Sequence, residues 1–191
     1  MSRLTITDLP LAGVRLVERH ALEDSRGFFS RLFCADELAA AGWHGPVAQI
    51  NHTLTRQAGS VRGLHVQRPP HAEMKLVSCL AGAVWDVVVD LRAGSPTYLQ
   101  WHAQILSADN RRALLIPEGF AHGFQALSAD VQLLYLHNHP HAPQAEDGLN
   151  PTDERLAIAW PMAITMMSDR DRQHPLLAHR PEQWGLSIQN P

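Results

Sequence analysis

The sequence has little of several things that would assign it to a specialised class of protein. Only two of its 191 residues are cysteines, Cys34 and Cys79, which predicts neither a disulfide framework nor a cysteine-based metal site. Charged residues make up 18% of the chain and the formal net charge is −3, so the chain has no excess of positive charge that would attract nucleic acid. No signal peptide opens the chain, and no apolar run approaches the roughly 20 residues that span a bilayer. We therefore expect a cytoplasmic protein with no nucleic-acid or membrane partner.

What the chain does have is a large apolar fraction, spread over short segments. Hydrophobic residues make up 45% of the sequence, enough to bury a core in a chain of this length. No linker, low-complexity block or repeat interrupts it, so a single domain over residues 1–191 is predicted. Residues 35–41 are typical of a short helix that is stopped by Gly42.

Most of the remaining pattern is that of β-strands. Val, Leu, Ile, Trp and Tyr are concentrated in segments separated by turn-forming residues, at 74–80, 83–92, 98–106, 112–116 and 131–138. Several strands at near-regular spacing, with one early helix, predict an all-β sandwich or barrel, and a double-sheet jelly roll suits the strand count. The tail after Pro161 has little strand pattern, and we expect it to wrap irregularly over the barrel.

Two of these strands carry polar, titratable side chains on one face. Side chains alternate along a strand, which places Asp86 and Asp90 on the same face of the 83–92 segment. The same rule puts Tyr135, His137 and His139 on one side of the chain at the end of the 131–138 segment. A small barrel with a partly polar interior usually holds a ligand, so a binding cavity is predicted.

Three residues have the chemistry needed to take a proton from a carbon beside a ketone. That reaction needs a base poised near neutral pH, a group that stabilises the enolate oxygen, and an acid that returns the proton. His65, Lys75 and Tyr135 could fill these roles in that order. The chain has 12 histidines, however, and spacing alone does not select one of them.

Several stretches of sequence form an ordered set. They are Asp-Ser-Arg-Gly-Phe-Phe at 24–29, Arg-Gly-Leu-His at 62–65, Lys-Leu-Val at 75–77, the segment 86–97, Ile-Pro-Glu-Gly-Phe-Ala-His-Gly-Phe at 116–124, Tyr135, Asn-Pro-Thr-Asp at 150–153, Trp-Pro at 160–161 and Ser-Asp-Arg-Asp at 168–171. Together they resemble the dTDP-4-dehydrorhamnose 3,5-epimerase family, whose fold is a cupin-type jelly roll, or double-stranded β-helix. The resemblance is nearly global, and the 62–65 and 116–124 strings together are highly specific.

The resemblance implies a role for each catalytic candidate. His65 matches the base that removes protons from C3 and C5 of a 4-keto-6-deoxyhexose carried on a nucleotide diphosphate. Asp171, rather than Asp169, matches the carboxylate that orients this histidine. Lys75 matches the residue near the C4 keto oxygen, and Tyr135 matches the acid that reprotonates from the opposite face. The implied activity is that of a nucleotide-sugar epimerase in deoxysugar or polysaccharide biosynthesis, with no cofactor and no metal.

The resemblance also implies where the substrate binds. Arg62 and His122 match residues that line the pocket, and Arg62 suits the diphosphate because a guanidinium fork fits phosphate oxygens. Arg26 and Phe28 match a segment that meets the nucleotide and that can come from the partner subunit. A homodimer is therefore expected.

The strand that carries Arg62 and His65 presents a local difficulty. The two residues have opposite parity on a regular strand, so both should not point toward the same cavity. Gly63 lies between them and would permit a bulge that re-aims one of the side chains. We therefore predict an irregularity at this position.

The sequence departs from the family mainly where the nucleotide is expected to bind. Arg31 replaces a glutamate that can accept a hydrogen bond from the thymine ring, and an arginine has only donors. Gln49 and Asn51 lie in Gln-Ile-Asn-His-Thr, where the family has Gln-Asp-Asn-x-Ser, and both remain candidate binding residues together with Arg31. Pro-His at 140–141 replaces paired aromatics, and Ser78 replaces an arginine. The carrier, dTDP or CDP, and epimerisation at C3, C5 or both therefore stay open.

Two alternative functions are also compatible with the sequence. His137, His139 and His141 alternate along the chain, and with His65 and His122 they could supply the metal ligands of a cupin oxygenase. As polar lining or surface residues they would have no such role. The second alternative is a non-catalytic protein that binds sugar nucleotides. The complete set of proton-transfer residues argues against it.

Overall fold

In the computed structural model, which describes residues 2–181 and 184–188, the chain forms two large antiparallel sheets and one small hairpin. The strands are β1 (Leu4–Asp8), β2 (Arg15–Arg19), β3 (Leu22–Asp24), β4 (Gly27–Phe29), β5 (Gln49–Thr55), β6 (Val61–Gln67), β7 (Lys75–Ala81), β8 (Ala83–Asp90), β9 (Trp101–Ser107), β10 (Arg112–Ile116), β11 (Phe120–Ala126), β12 (Val131–His137) and β13 (Glu146–Gly148). The helices are α1 (Ala35–Ala39) and α2 (Asp169–Gln173), with short 3-10 turns at Pro143–Ala145 and Leu177–His179. No helix within the described residues is long and apolar enough to cross a membrane.

The strand order defines a jelly roll. One sheet has six strands in the order β1-β2-β10-β7-β12-β5, and the other has five in the order β13-β6-β11-β8-β9. Strands β3 and β4 form the separate hairpin. Strands close in sequence, such as β7 and β8, belong to different sheets, so the chain passes repeatedly from one sheet to the other. The predicted all-β, cupin-type fold is confirmed.

Apolar side chains on both faces of the strands hold the sheets together. On β8, Val84 and Val88 pack in the cluster between the two sheets, whereas Val87 and Val89 pack in a second cluster on the other face. All four are fully buried. Full burial of a valine side chain contributes about 1.5–3 kcal/mol, which explains why apolar residues occupy both faces of this strand rather than one.

The C-terminal tail covers the outer face of the five-stranded sheet, as expected from the sequence. Leu177, Trp184 and Leu186 pack in the second cluster with β8, and Leu186 forms a bridge with Arg92. The tail also contains the short helix α2, which the sequence pattern did not predict. This helix is important because one of its side chains contacts a residue of the cavity described below.

The predicted elements agree with observed ones, but the predicted segments did not include β1, β2, β3, β4, β5, β11 or β13. The five predicted segments correspond to β7, β8, β9, β10 and β12, and the helix predicted over 35–41 spans Ala35–Ala39. Strand β11 was missed, although all seven of its residues are buried. Its sequence, Phe-Ala-His-Gly-Phe-Gln-Ala, contains no β-branched residue and includes Gly and Ala, which are depleted in strands, so its strand signal is weak despite the two phenylalanines.

Candidate active site

A cavity of about 460 Å³ lies between the two sheets. The six-stranded sheet contributes residues of β5, β7 and β12 to its wall, and the five-stranded sheet contributes residues of β6 and β11. The lining residues are Gln49, Asn51, Thr53, Arg62, His65, Val66, Gln67, Glu73, Lys75, His122, Gly123, Phe124, Tyr135, His137, His141 and Glu146. Most of the residues singled out in the sequence therefore come together in one place.

The irregularity predicted at Gly63 is present. His65 pairs with His122 across β6 and β11, but Arg62 pairs with Phe124, so the register shifts between these two pairs. Gly63 has a φ of +121°, a backbone conformation that residues other than glycine rarely adopt. The register shift allows both Arg62 and His65 to line the cavity.

His65 is held by a buried carboxylate. His65 Nε2 lies 2.7 Å from Asp171 Oδ1, and the backbone N–H of Gly63 donates to Asp171 Oδ2 at 3.3 Å. Burial alone would raise the pKa of Asp171, but the hydrogen bonds from His65 and Gly63 outweigh it and hold that pKa below its ordinary value. The carboxylate is thus ionised at neutral pH and fixes one ring nitrogen of His65, which leaves Nδ1 to meet a substrate.

The position of Asp171 depends on α2. Ser168 caps this helix, and its Oγ accepts a hydrogen bond from the backbone N–H of Asp171 at 3.0 Å. Asp171 is only 3% exposed, whereas the Asp169 side chain is 89% exposed and lies 3.7 Å from Arg172. Of the two aspartates, Asp171 is the one that contacts His65.

A second buried pair supports the same wall of the cavity. His122 Nε2 lies 2.9 Å from Asp86 Oδ1, and both side chains are almost completely buried. Asp86 lies on the polar face of β8 and is linked to the cavity through His122. The other carboxylate oxygen of Asp86 has no hydrogen-bond partner among the described residues.

Tyr135 lies on the opposite wall, on β12. Its ring is 6.0 Å from the ring of His122 and is stacked on the ring of His137 at 6.2 Å. Burial and then the nearby charge of Asp86 raise the pKa of Tyr135, so the phenol stays protonated at neutral pH. A neutral phenol on the wall opposite His65 has the position and the protonation state required of a proton donor.

Lys75 forms a buried ion pair that the sequence analysis did not identify. Its Nζ lies 3.2 Å from Glu73 Oε1, and the other oxygen of Glu73 accepts a hydrogen bond from His137 Nδ1 at 2.8 Å. Burial alone would raise the pKa of Glu73, but the hydrogen bond from His137 and the charge of Lys75 hold it below its ordinary value. Glu73 precedes Lys75 by two residues, so strand alternation could have revealed that both face the cavity.

The predicted binding residues fall into two groups. Arg62, Gln49 and Asn51 line the cavity, where Gln49 Nε2 donates to Asn51 Oδ1 at 3.1 Å. Three others do not line this cavity within one chain: Arg26 pairs with Asp24 in the β3–β4 hairpin, Phe28 packs under the Arg111 guanidinium, and Arg31 pairs with Glu37 of α1. Arg26 and Phe28 instead line a second, shallower pocket on the hairpin.

The alternating histidines do not share one metal site. His137 binds Glu73, the ring of His139 packs against His71, and His141 lies 3.1 Å from Glu146. Within the described residues, the one group with suitable spacing is His65, Asp171 and His174, whose ligand atoms lie within 4.8 Å of one another. Because His65 and Asp171 are already joined by a direct hydrogen bond, we interpret this group as a proton-transfer pair with a neighbouring histidine.

The fold and the cavity together define a class of protein. A jelly roll whose interior carries a carboxylate-bound histidine, a lysine and a neutral tyrosine is an isomerase of the cupin type, built to move protons on and off carbon. The family model described as dTDP-4-dehydrorhamnose 3,5-epimerase matches residues 8–179. The chain belongs to this family.

Individual relatives agree with this assignment. The chain is 42% identical over 180 residues to a dTDP-4-dehydrorhamnose 3,5-epimerase of Streptomyces griseus, covering 93% of this chain and 88% of the relative. It is 39% identical over 176 residues to a dTDP-4-dehydrorhamnose 3-epimerase of Streptomyces niveus, covering 92% and 84%. A crystal structure of the Legionella pneumophila dTDP-6-deoxy-D-glucose-3,5-epimerase in complex with dTDP-4-keto-L-rhamnose superposes with a TM-score of 0.90 at 36% identity, covering 98% of this chain and 100% of that one.

Proposed function

We propose that the protein epimerises a 4-keto-6-deoxyhexose linked to dTDP, in a single domain, by removing a proton from carbon and returning one to the opposite face. The observation that carries this proposal is that the base and the acid stand on opposing sheets. His65 lies on β6 with Asp171 behind it, and Tyr135 lies on β12 across the cavity. A sugar bound between them has a base on one face and a proton donor on the other, which inversion requires.

The first step is proton abstraction by His65. Asp171 accepts the N–H of Nε2, so Nδ1 is free to take the proton from the carbon beside the C4 ketone. As His65 gains that proton it becomes an imidazolium, and the ionised carboxylate 2.7 Å away stabilises the new charge. The pair therefore fixes the orientation of the His65 ring.

The electrons released from the C–H bond move to the ketone oxygen, which becomes an enolate. Lys75 is the cation assigned to this oxygen, since it lines the cavity and its Nζ also lies 3.5 Å from the backbone carbonyl of His65. A preorganised cation in a site shielded from water stabilises such a charge far more than bulk solvent does. Tyr135 then gives its phenolic proton to the opposite face of the carbon.

The nucleotide end of the cavity contains Arg62, Gln49 and Asn51. We assign the diphosphate to Arg62, because the guanidinium can present two parallel N–H donors to phosphate oxygens. The amides of Gln49 and Asn51 lie nearby on β5 and can bind either phosphate or sugar hydroxyls. The carrier is assigned to dTDP because the family and the relatives described above are named for dTDP sugars.

We also propose that two copies of the chain form a homodimer. Strand β5 is one of the two edge strands of the six-stranded sheet and exposes Ile50 and Leu54. The β3–β4 hairpin exposes Phe28 to 62% and Phe29 to 63%. Apolar side chains on a sheet edge and on a projecting hairpin are features of an association surface. In such a dimer the hairpin would bring Arg26 and Phe28 to the nucleotide in the partner's cavity.

The two cysteines are consistent with a reducing compartment. Both are free thiols, with Cys79 buried and Cys34 half-buried at the start of α1. Free thiols persist where disulfides are kept reduced, and we place the reaction in the cytoplasm.

Proton NMR in deuterated water tests the proposed reaction directly. The wild-type protein is incubated with dTDP-linked and CDP-linked 4-keto-6-deoxyglucose, and deuterium is followed separately at C3 and C5. We expect exchange with the dTDP sugar, faster than with the CDP sugar. His65→Asn should reduce exchange by at least about 10², the lower end of the contribution of a general base. His20→Asn should exchange like wild type, because His20 is an exposed residue at the end of β2 that contacts Thr5 and does not line the cavity.

The same spectra decide how many carbons react. Deuterium at both positions identifies a 3,5-epimerase, like the Streptomyces griseus relative, and deuterium at C3 alone identifies a 3-epimerase, like the Streptomyces niveus relative. An absence of exchange at both carbons with either nucleotide would contradict the proposal, provided that the protein is folded.

A further inference from the structure

One wall of the cavity carries a continuous chain of polar contacts that runs through Lys75, Glu73, His137, Asn51 and Gln49. Two of its members, Glu73 and His137, have no role in the proposed reaction. We propose that His137 is a positioning residue of this site: as a neutral ring it accepts a hydrogen bond from Asn51, and it thereby holds the amides of Asn51 and Gln49 as N–H donors for the diphosphate. The inference rests on the proposed epimerase function.

The direction of the hydrogen bonds in this chain follows from one end. The backbone N–H of His141 can only donate, and it donates to Gln49 Oε1 at 2.9 Å. The NH2 group of Gln49 therefore donates to Asn51 Oδ1, at 3.1 Å. This turns the NH2 group of Asn51 toward His137, whose Nε2 lies 3.4 Å from Asn51 Nδ2. Because an amide NH2 group only donates, Nε2 is the acceptor and carries no proton.

The other end of the chain fits the same form of His137. With Nε2 unprotonated, the neutral ring carries its proton on Nδ1, which donates to Glu73 Oε2 at 2.8 Å. The second oxygen of Glu73 lies 3.2 Å from Lys75 Nζ. The side chains of Glu73 and His137 are only 9% and 10% exposed, so these protein contacts, rather than water, fix the position of the ring.

The two amides at the mouth of the cavity need such an anchor. Asn51 is exposed and Gln49 is half-buried, and both lie on the edge strand β5. A free amide in water can turn over, which exchanges its donor and acceptor groups. If Asn51 turned over, its oxygen would face the unprotonated Nε2 of His137, and two acceptors cannot bond to each other. The neutral ring therefore selects the orientation in which Asn51 directs its NH2 group inward.

This orientation suits an anionic ligand. Each NH2 group has a second N–H that the chain does not use, so Asn51 and Gln49 keep one donor each for a ligand in the cavity that they line. Diphosphate oxygens are acceptors, and hydrogen bonds to charged groups are among the stronger ones. Donors that are ordered before binding do not lose side-chain freedom when the ligand arrives, which increases affinity.

The same donors could instead meet a hydroxyl group of the sugar, and dTDP separates these two ligands. dTDP contains the diphosphate but no hexose. If the amides bind the diphosphate, a loss of their orientation weakens the binding of dTDP and raises KM for the dTDP-linked substrate together. If they bind the sugar, KM rises while the dissociation constant of dTDP stays the same.

The test measures both constants for His137→Asn. Asparagine keeps a nitrogen that can donate to Glu73, but it has no atom at the place of Nε2. We expect the dissociation constant of dTDP and KM to rise by about 3- to 10-fold, as expected when ordered side chains become free. Since this is a loss of uniform binding, kcat should stay within about twofold of wild type. The control, His139→Asn, should match wild type, because the ring of His139 packs against His71 and does not line the cavity.

A double variant shows whether His137 acts through Asn51. Asn51→Ala changes an exposed side chain, removes the donor itself and should weaken dTDP binding by about 10-fold. If His137 acts by positioning Asn51, adding His137→Asn to Asn51→Ala should weaken binding by less than about a further twofold. If the two losses multiply instead, His137 contributes independently of Asn51 and the inference is wrong.

His137→Gln provides a rescue by a longer side chain. The amide oxygen of glutamine can reach the place of Nε2 and accept from Asn51, so dTDP affinity should return to within about twofold of wild type. Equal weakening in His137→Gln and His137→Asn, or a rise in KM with unchanged dTDP affinity, would overturn the inference. Binding of dTDP requires no turnover, so a wild-type protein that binds dTDP but shows no solvent exchange would refute the proposed function separately.

Discussion

At the scale of single residues, the contact between His65 and Asp171 is the one on which the chemistry most depends. The two residues are 106 positions apart in the sequence. The sequence resemblance indicated both partners, because each lies in a recognisable string. Chemistry alone could have suggested His65 as a base. It could not have suggested the partner, because no local pattern predicts that a five-residue helix in the tail places a carboxylate next to a residue of β6.

Asp171→Asn tests the role of this carboxylate without changing its shape. The amide oxygen can still accept a hydrogen bond from His65 Nε2, but the negative charge that stabilises the imidazolium is gone. We expect kcat to fall by about 10² or more, with little change in KM. The matched control is Asp169→Asn, which alters an exposed carboxylate of the same helix and should leave steady-state kinetics unchanged. Equal activity of the two variants would contradict the proposed role of Asp171.

The Glu73–His137 pair shows which residue-level features remained hidden in the sequence. The alternating histidines at 137, 139 and 141 suggested a shared metal site or simple lining. In the structure they face three different partners, because the strand ends at His137 and the chain then bends away from the sheet. The pairing of His137 with Lys75 depends on the register between β7 and β12. The side-chain alternation within one strand does not reveal which residue of a distant strand it will face.

At the scale of elements, the sequence predicted strands wherever turn residues separated β-branched and aromatic runs. It also predicted the irregularity in β6, because two residues of opposite parity were both expected in the cavity. Strands β6 and β11 approach each other closely at this irregularity, which explains why positions 63 and 123 are both glycine. A Cβ at Gly63 would lie 2.6 Å from the Cα of Gly123 on β11. Among the strands that the pattern missed is β11, whose Gly123 is required by this packing because a Cβ there would lie 2.6 Å from the carbonyl oxygen of Arg62.

The edge strand β5 allows a test of the proposed dimer. Ile50 is 60% exposed on β5, and Ile105 is 52% exposed on β9, which is the edge strand of the other sheet. A lysine at an edge blocks strand association because its charge cannot be buried without a partner. We expect light scattering to show that wild type and Ile105→Lys have about twice the mass of Ile50→Lys. A dimeric Ile50→Lys protein would exclude β5 from the interface.

At the scale of the whole molecule, acid should destabilise the fold in two stages. Burial lowers the pKa of His102 and His174 from the ordinary value of 6.5, and His65 adds to the effect on His174. The fold therefore favours their neutral forms, so stability decreases as the pH falls below 6.5 and the unfolded chain binds protons first. For Asp90, Asp147 and Asp171, hydrogen bonds outweigh burial and lower the pKa below 3.8. Their contribution is complete above that pH and is lost below it.

Thermal unfolding between pH 8 and pH 3 measures both stages. The Tm should decline gently from about pH 6.5 and steeply below about pH 4. His102→Gln should reduce the difference in Tm between pH 8 and pH 5.5, because the glutamine does not titrate. A change of about 1 kcal/mol moves the Tm of a chain of this size by about 2–4 °C, which such scans resolve. An identical decline in wild type and variant would show that His102 is not responsible.

The unequal environments of the two cysteines make the protein suitable for site-selective labelling. Burial raises the pKa of Cys79 to about 11, and its side chain packs fully buried in the core cluster between the two sheets, so it will not react with a thiol reagent at neutral pH. Cys34 is the accessible thiol and lies between the β3–β4 hairpin and α1. A single fluorophore or spin label can therefore be attached without removing any native residue. In a dimer, the distance between two such labels would report directly on where the two hairpins lie.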